Sequence, residues 1–138
     1  MLDYPVQFMG VNAPKEHQRM IRKITTGLDI LYVAGQIKFE PFPETMISEG
    51  SSSPTPDVLL YDNITRSNVV LIEITTGDSL KKDFKKISNL IEEYEIEEGF
   101  VYEYQRKIWR KYKLGIGEIT ENPSFCDAIG YDLNDFVK

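Results

Sequence analysis

The pattern of apolar and polar residues predicts two amphipathic helices in this chain. In residues 14–33, apolar side chains recur at intervals of three and four, which is the spacing of one helix face. Pro14 suits the first helical turn, and Gly35 is placed to end the helix. A second helix is predicted over residues 79–94, with an apolar stripe made of Leu80, Phe84, Ile87, Leu90, Ile91 and Tyr94.

Extended segments lie between and after these helices. Residues 69–75 are almost continuously apolar and β-branched, which is typical of a central strand buried on both faces. The order α-β-β-β-α-β-β predicts a mixed sheet flanked by helices, in the α/β or α+β class. The remaining predicted elements are strands at residues 36–40, 57–62, 100–104 and 108–112, a continuation at 46–47, a Ser- and Pro-rich loop at 49–56, an acidic turn at 95–98, and one short helix within residues 124–138.

Length and composition narrow the function classes. The 138 residues predict one domain, and 41% hydrophobic with 28% charged residues is typical of a globular protein. Sixteen basic and 22 acidic residues give a net charge of −6, which excludes a uniformly basic nucleic-acid coat but not a local basic patch. The single cysteine, Cys126, excludes an intramolecular disulfide and a cysteine-rich zinc module. No apolar run suits a membrane span and no signal peptide is recognisable, so we expect a cytoplasmic protein.

A carboxylate inside the most apolar strand needs an explanation. Glu73 lies in that strand, and a buried charge without a partner is strongly destabilising. Asp57 opens the preceding strand, so the two carboxylates lie side by side if the strands are neighbours. A divalent cation would resolve the repulsion between them, and oxygen-only ligation suits Mg²⁺ or Mn²⁺. The alternative is that Asp57 caps a turn and that Glu73 pairs with a lysine.

The second predicted helix brings further charged residues to this region. At about 100° per residue, Asp83 lies about 40° from the centre of the apolar stripe and Lys86 about 100° from it. A helix that folds back over its strand reaches the level of Glu73 near Asp83. The Lys86 side chain leans toward the helix N-terminus, so it can also reach Glu73. The alternative is a solvent-exposed Asp83–Lys86 pair that contributes under about 1 kcal/mol.

These residues together resemble the PD-(D/E)XK nuclease superfamily, and most closely its Uma2-like, restriction-endonuclease-like branch. The resemblance rests on Pro56-Asp57-Val-Leu-Leu-Tyr, on Val-Leu-Ile-Glu73-Ile-Thr75, and on the helix that carries Asp83 and a nearby lysine. It spans roughly residues 14–112. It implies a restriction-endonuclease-like αβββαβ core and a metal-dependent phosphodiester hydrolase.

The resemblance also implies a role for each site residue. Asp57, Glu73 and the main-chain carbonyl of Ile74 would be ligands of Mg²⁺ or Mn²⁺. Lys86 would orient or activate the attacking water, and Asp83 would hold Lys86. These roles make the four side chains the candidate catalytic residues.

One residue departs from the superfamily pattern. Thr75 stands two residues after Glu73, where the superfamily usually has a lysine. In the Uma2-like branch that lysine is displaced onto the following helix, behind an Asp ten residues beyond the Glu, and Asp83 stands at that position. The branch's lysine position falls on Ile87, next to Lys86, so either a small shift in residues 75–78 restores the site or the site is degenerate.

Four further residues are accessory candidates for the same cleft. They are Glu40 in the strand before the loop, Glu16 and His17 in the first helix, and Thr75 itself. His17 is the only histidine, and its alignment with the apolar face of the helix also fits a histidine satisfied at the end of the core. Glu40 also fits an ordinary charge on an edge strand.

Positive charge is clustered despite the acidic total. Lys81, Lys82 and Lys85 lie on the second helix, and Arg106 and Lys107 lie in the turn between the last two strands. If these residues converge beside Asp57 and Glu73, they form a groove for nucleic-acid phosphates. Arg110, Lys111 and Lys113 add to the same cluster. The alternative is a solvated helix face and an edge strand protected by charge.

The leading hypothesis is a Mg²⁺-dependent nuclease that acts on nucleic acid, with DNA the first expectation. A second hypothesis is a catalytically inactive nuclease-fold domain that binds nucleic acid or a protein. A third is a structural α/β domain in which a lysine alone neutralises Glu73. Cleavage of both strands of a duplex would favour a homodimer by symmetry.

Overall fold

The computed structural model describes residues 14–49 and 53–138. Two helices, eight strands and two 3₁₀ segments are found in these residues. No helix among them is long and apolar enough to cross a membrane. In chain order the elements are α1 Lys15–Val33, β1 Glu40–Pro43, β2 Val58–Asp62, β3 Ser67–Thr75, a 3₁₀ turn Gly77–Ser79, α2 Leu80–Tyr94, β4 Glu98–Glu103, β5 Ile108–Lys113, β6 Gly117–Ile119, β7 Phe125–Cys126, β8 Tyr131–Asp132 and a 3₁₀ turn Leu133–Phe136.

Six strands form one mixed sheet in the order β1-β2-β3-β4-β5-β6. Neighbouring strands are antiparallel except β3 and β4, which are parallel. A parallel pair needs a crossover connection, and α2 supplies it. The helices and the sheet confirm the predicted fold class, a mixed sheet flanked by helices.

The two helices cover opposite faces of the sheet, so β3 is buried on both sides. Val70, Ile72 and Ile74 belong to the core that contains α1, whereas Leu71 belongs to the core that contains α2. Side chains alternate between the faces of a strand, and Glu73 therefore shares the α2 face with Leu71. This alternation decides which helix can supply a partner for the Glu73 carboxylate.

The first predicted strand was placed too early in the chain. The amide N–H groups of Gln36 and Ile37 donate to the carbonyl of Leu31, so this segment continues the end of α1 rather than a strand. Strand β1 begins at Glu40 and contains two prolines, which an edge strand tolerates because one side of it has no ladder. Residues 46–47 lie outside any strand.

The end of the chain also differs from the prediction. Glu98 is not part of an acidic turn but is the first residue of β4, and only 1% of it is exposed. Residues 117–119 form a sixth strand of the sheet, which was not predicted from the sequence. The tail contains the β7–β8 hairpin as well as a short 3₁₀ helix.

A buried ion pair anchors this tail to the sheet. Lys111 of β5 is 2% exposed, and its Nζ lies 2.9 Å from Glu98 Oε2. The Glu98 carboxylate also accepts hydrogen bonds from the backbone N–H groups of Asp127 and Ala128. Because all of these groups are paired, burial of the two charges is tolerated. Lys111 is therefore unavailable to a nucleic acid, contrary to the prediction that grouped it with the surface cations.

Close packing at one glycine sets the position of α2. A Cβ atom added to Gly99 of β4 would lie 2.6 Å from Ile87 Cγ2 and 2.9 Å from Ile91 Cγ1. Both isoleucines are fully buried in the α2 core. The absence of a side chain at Gly99 therefore allows α2 to lie directly on the sheet.

We expect Gly99→Ala to lower the free energy of unfolding by about 1–3 kcal/mol, because the added methyl group overpacks this contact. Urea denaturation of the two proteins measures the difference. Ile87→Ala is the matched second change. It should lower the free energy of unfolding less in the Gly99→Ala background than in the wild type, because it removes the side chain that the added methyl group meets. Equal costs in both backgrounds would show that the methyl group does not meet Ile87.

Candidate metal centre

The free edge of β3 forms the base of the site. Val58, the first residue of β2, pairs with Ile72, so residues 73–75 of β3 extend beyond β2. On the other side these residues continue to pair with β4. The N–H and C=O groups of Ile74 on the β2 side of the strand therefore have no ladder partner in β2 and can bond to side chains.

Backbone N–H groups hold the carboxylates of Asp57 and Glu73 at this edge. The backbone N–H of Asp57 donates to Glu73 Oε1 at 2.9 Å, and the backbone N–H of Ile74 donates to Asp57 Oδ2 at 2.7 Å. Each carboxylate is thus fixed by the backbone beside the other carboxylate. The structure places the two predicted metal ligands side by side at the end of the β2–β3 pair.

Lys86 of α2 reaches Glu73 from the opposite side. Its Nζ donates to Glu73 Oε2 at 3.0 Å. The lysine side chain is 47% exposed and the glutamate side chain 8%, so the pair lies at the boundary between core and solvent. Asp83 forms no ion pair with Lys86 in the described part of the chain, although its negative charge contributes to a raised pKa of Lys86.

His17 approaches the same edge from α1. Its Nε2 lies 3.0 Å from the carbonyl oxygen of Ile74 and 3.4 Å from Asp57 Oδ2. A carbonyl only accepts, so Nε2 carries the proton in this hydrogen bond. The hydrogen bond with Asp57 and the negative charges nearby raise the pKa of His17 against the opposing effect of burial. The other ring nitrogen, Nδ1, is buried and has no hydrogen-bond partner among residues 14–49 and 53–138.

The electrostatic environment of Glu73 opposes its negative charge. Burial and the adjacent Asp57 carboxylate raise the pKa of Glu73, and the Lys86 ammonium only partly offsets them. Burial acts to lower the pKa of Lys86, but the hydrogen bond to Glu73 and the negative charges of Glu73, Asp83 and Asp57 together raise it. A carboxylate whose surroundings disfavour its charge is typical of functional sites.

The remaining accessory candidates lie at different distances from the site. Thr75 is buried on the same face of β3 as Glu73, and its carbonyl accepts a hydrogen bond from the N–H of Tyr104. Glu16 lies one residue before His17 and forms an ion pair with Arg19. The structure does not bring Glu40 to the site, because Glu40 pairs with Tyr61 at the far end of β2 and accepts from Asn63.

The predicted nucleic-acid-binding residues fall into two groups. Lys81, Lys82 and Lys85 are exposed on α2. Arg106 and Lys107 lie in the turn between β4 and β5, where Arg106 Nε donates to Glu103 Oε1 at 2.8 Å. The other cations that the sequence analysis added to the cluster have acidic partners: Arg110 pairs with Glu118, Lys111 with Glu98, and Lys113 with Asp127.

The donor set at this edge fits a hard divalent cation. Asp57 and Glu73 supply carboxylate oxygens and Ile74 supplies a carbonyl oxygen, which are the ligand types of Mg²⁺ and Mn²⁺. Residues 14–49 and 53–138 contain no group of three or more His, Cys, Asp or Glu side chains placed to hold a metal. Water and substrate oxygens would therefore have to complete the coordination sphere, as is usual for Mg²⁺.

Some features of the site had no counterpart in the sequence analysis. The hydrogen bonds from the Asp57 N–H to Glu73 and from the Ile74 N–H to Asp57 lie just outside the start of β2 at Val58. The contact of His17 with the carbonyl of Ile74 spans 57 residues of sequence. The only sequence signal for this contact was that His17 is the single histidine and lies near the start of an amphipathic helix.

The raised pKa of Glu73 predicts how stability depends on pH. In the unfolded chain this carboxyl titrates near its ordinary value of 4.5, and in the folded protein it titrates at a higher pH. The folded protein holds this proton more tightly than the unfolded chain does. The resulting stabilisation is fully present below pH 4.5 and is lost as pH rises through the pKa of Glu73 in the folded protein. We therefore expect Glu73→Gln to gain stability relative to the wild type over this pH range, measured as thermal melting temperature against pH.

Glu103→Gln is the matched control, because its pKa shift has the opposite sign. Burial raises the pKa of Glu103, but hydrogen bonds from Arg106 and from the Gln105 N–H hold it below the usual 4.5. The wild type should therefore lose stability relative to Glu103→Gln as pH falls below 4.5. If the melting temperature of the wild type instead rose relative to that of Glu73→Gln with rising pH, the Glu73–Lys86 pair would be a net stabilising ion pair.

Comparisons with known proteins identify the fold but not the family. No protein-family model matches the chain, and no curated protein shows significant similarity to it. Among solved structures, the chain is similar to a protein from Anabaena variabilis described as a "putative nuclease belonging to DUF820". The two structures superpose with a TM-score of 0.65 at 16% sequence identity, over 91% of this chain and 84% of the other. The chain therefore has the fold of that protein.

Proposed function

We propose that this protein is a Mg²⁺-dependent nuclease that hydrolyses phosphodiester bonds in nucleic acid, with Mn²⁺ as an alternative metal. The observation that carries the proposal is the convergence of Asp57, Glu73 and Lys86 at the free edge of β3, beside the Ile74 carbonyl that His17 contacts. The fold shared with a protein described as a nuclease supports it. DNA is the first substrate to test.

The residues of the site would have distinct roles in hydrolysis. Asp57, Glu73 and the Ile74 carbonyl would hold the metal, which supplies positive charge to stabilise the transferring phosphate when it is bound. Lys86 would orient and polarise the attacking water. Its raised pKa keeps it protonated at neutral pH, so it would act as a hydrogen-bond donor rather than as a base. Hydrolysis adds this water across one phosphorus–oxygen bond.

One observation favours a second candidate, an inactive domain of the same fold that binds nucleic acid or a protein. Both oxygens of Glu73 already accept hydrogen bonds, one from the Asp57 N–H and one from Lys86. Lys86 can neutralise the carboxylate without a metal, and Thr75 stands at the position where a motif lysine is expected. Metal binding distinguishes the two candidates.

For the nuclease, Mn²⁺ or Mg²⁺ should raise the melting temperature, because an ion bound only by the folded state stabilises it. Thermal melting in EDTA, Mg²⁺ and Mn²⁺ measures this change. The rise should vanish in Glu73→Ala and persist in the control Glu93→Ala, which removes an exposed carboxylate from α2. An equal rise in all three proteins would mean that the ion binds elsewhere. The absence of any rise at millimolar metal would favour the inactive domain.

Cleavage of labelled DNA and RNA tests the role of Lys86. We expect Lys86→Met to lower the cleavage rate by about 100-fold or more, since it removes a charged donor from the reacting centre. Lys38→Met is the matched control: it removes the same charge from an exposed lysine that belongs to neither the site nor the predicted nucleic-acid-binding cluster. Equal rates for wild type and Lys86→Met would exclude Lys86 from the reaction.

A further inference from the structure

An open groove of about 710 Å³ lies between the N-terminal half of α2 and strand β5. Phe84 of α2 and Arg110 of β5 line it, with the Arg110 guanidinium 4.0 Å from the centre of the Phe84 ring. Lys81, Lys82 and Lys85 also line the groove, and Asp78 is its one acidic residue among those described. We call this feature the α2 groove.

The three lysines of the α2 groove have no acidic partner. In the described part of the chain, Lys81, Lys82 and Lys85 form no ion pair, whereas Arg110 is held by both oxygens of Glu118. Three exposed and unpaired ammonium groups within five residues repel one another. Their proximity on a protein of net charge −6 therefore points to an anionic partner.

The charges of α2 also run against the helix dipole. Lysines stabilise a helix near its C-terminus and destabilise it near its N-terminus. In α2, Lys81, Lys82, Lys85 and Lys86 all lie in the first seven residues, against one acidic residue there, Asp83, and the last turn contains no basic residue. The N-terminal lysines thus oppose the stability of the helix that carries them, so helix stability does not explain their position.

The α2 groove is separate from the metal centre but lies on the same helix. Lys86 points to Glu73 of β3, whereas Lys81 and Lys85, four residues apart, line the groove toward β5. The helix with its side chains is about 10 Å wide, which is comparable to about three phosphate-to-phosphate steps of 3.4 Å along one nucleic-acid strand. A strand bound at the metal centre can therefore cross the N-terminal turn of α2 and continue into the groove.

We propose that the α2 groove binds the phosphodiester backbone of the nucleic-acid substrate outside the cleaved bond. This inference rests on the proposed nuclease function. Lys81, Lys82 and Lys85 contact phosphates there as point charges, without reading sequence. A nucleic acid fits better than an acidic protein because its charges repeat at short regular intervals, so that three closely spaced lysines can all be neutralised by one strand.

Replacement of the three lysines tests the proposal. The variant Lys81→Gln/Lys82→Gln/Lys85→Gln is compared with a matched control, Arg22→Gln/Lys23→Gln/Lys38→Gln, which removes three charges from exposed or half-buried residues outside the groove. The probe is a short fluorescein-labelled DNA duplex of mixed sequence, and binding is measured by anisotropy in EDTA so that no cleavage occurs. The groove variant should bind at least about tenfold more weakly. The plot of log affinity against log salt should become less steep, its negative slope shrinking in magnitude by about 2.7 for three lost phosphate contacts.

Thermal melting provides a readout that a structural role would not produce. Because the lysines oppose the helix dipole, the groove variant should melt at the same temperature as the wild type or higher, while its DNA binding is weaker. A lower melting temperature that accompanies the binding loss would overturn the proposal. Equal loss of binding in the groove and control variants would also overturn it.

Two further outcomes separate this inference from the proposed function. If the groove variant binds DNA like the wild type while metal-dependent cleavage persists, the groove proposal fails and the nuclease stands. If the wild type binds no DNA or RNA, both fail. If polyglutamate displaces the duplex from the wild type as well as unlabelled duplex does, the groove binds acidic polymers in general and the assignment to nucleic acid is wrong.

Discussion

The arrangement of the site depends on one buried carboxylate, Glu73, placed where β3 extends beyond its neighbour. At this edge Glu73 accepts from the Asp57 backbone N–H, and the Ile74 N–H donates in turn to Asp57. The two acidic side chains are thereby fixed against their own repulsion by backbone N–H groups. Had β2 continued by two residues, Pro56 would lie opposite Ile74, and the Ile74 N–H would face the strand rather than the Asp57 carboxylate.

Each element that meets at this edge contributes one part. Strand β2 ends to expose the edge, α1 supplies His17 to the Ile74 carbonyl, and α2 supplies Lys86 to Glu73. The position of α2 depends in turn on Gly99, where the helix contacts the sheet backbone. The length of the Lys86 side chain then brings its ammonium group from the half-exposed helix surface to a carboxylate that is almost fully buried. The site therefore depends on the packing of both layers of the fold.

Periodicity in the sequence predicted the helices and the mixed sheet, because hydrophobic burial imposes one spacing on a helix and another on a strand. It misplaced the strand at residues 36–40, since alternation cannot reveal that Leu31 would accept the amide N–H groups of residues 36 and 37. It also grouped Lys111 with the surface cations, because a buried lysine has no local signal when its partner, Glu98, lies on the neighbouring strand.

Strand alternation and helix phase suggested that Asp57, Glu73 and Lys86 could lie near one another, whereas the distances between them follow from where each element ends. Their roles in catalysis stay predictions.

Comparison of three buried glutamates shows why Glu73 differs. Glu98 lies beside a buried lysine and accepts two backbone N–H groups, and Glu103 accepts from Arg106 and from the turn that follows it, which lowers its pKa. Both are surrounded by donors that the fold provides. Glu73 has one backbone donor, a half-exposed lysine and a second carboxylate beside it, and its pKa is raised. The fold provides enough donors to neutralise Glu98 and Glu103. At Glu73 an Asn in place of Asp57 would remove the neighbouring negative charge, yet the chain has Asp57 there. The deficit of positive charge at this one position is what a bound divalent cation would supply, and it is the physical reason to look for the metal there first.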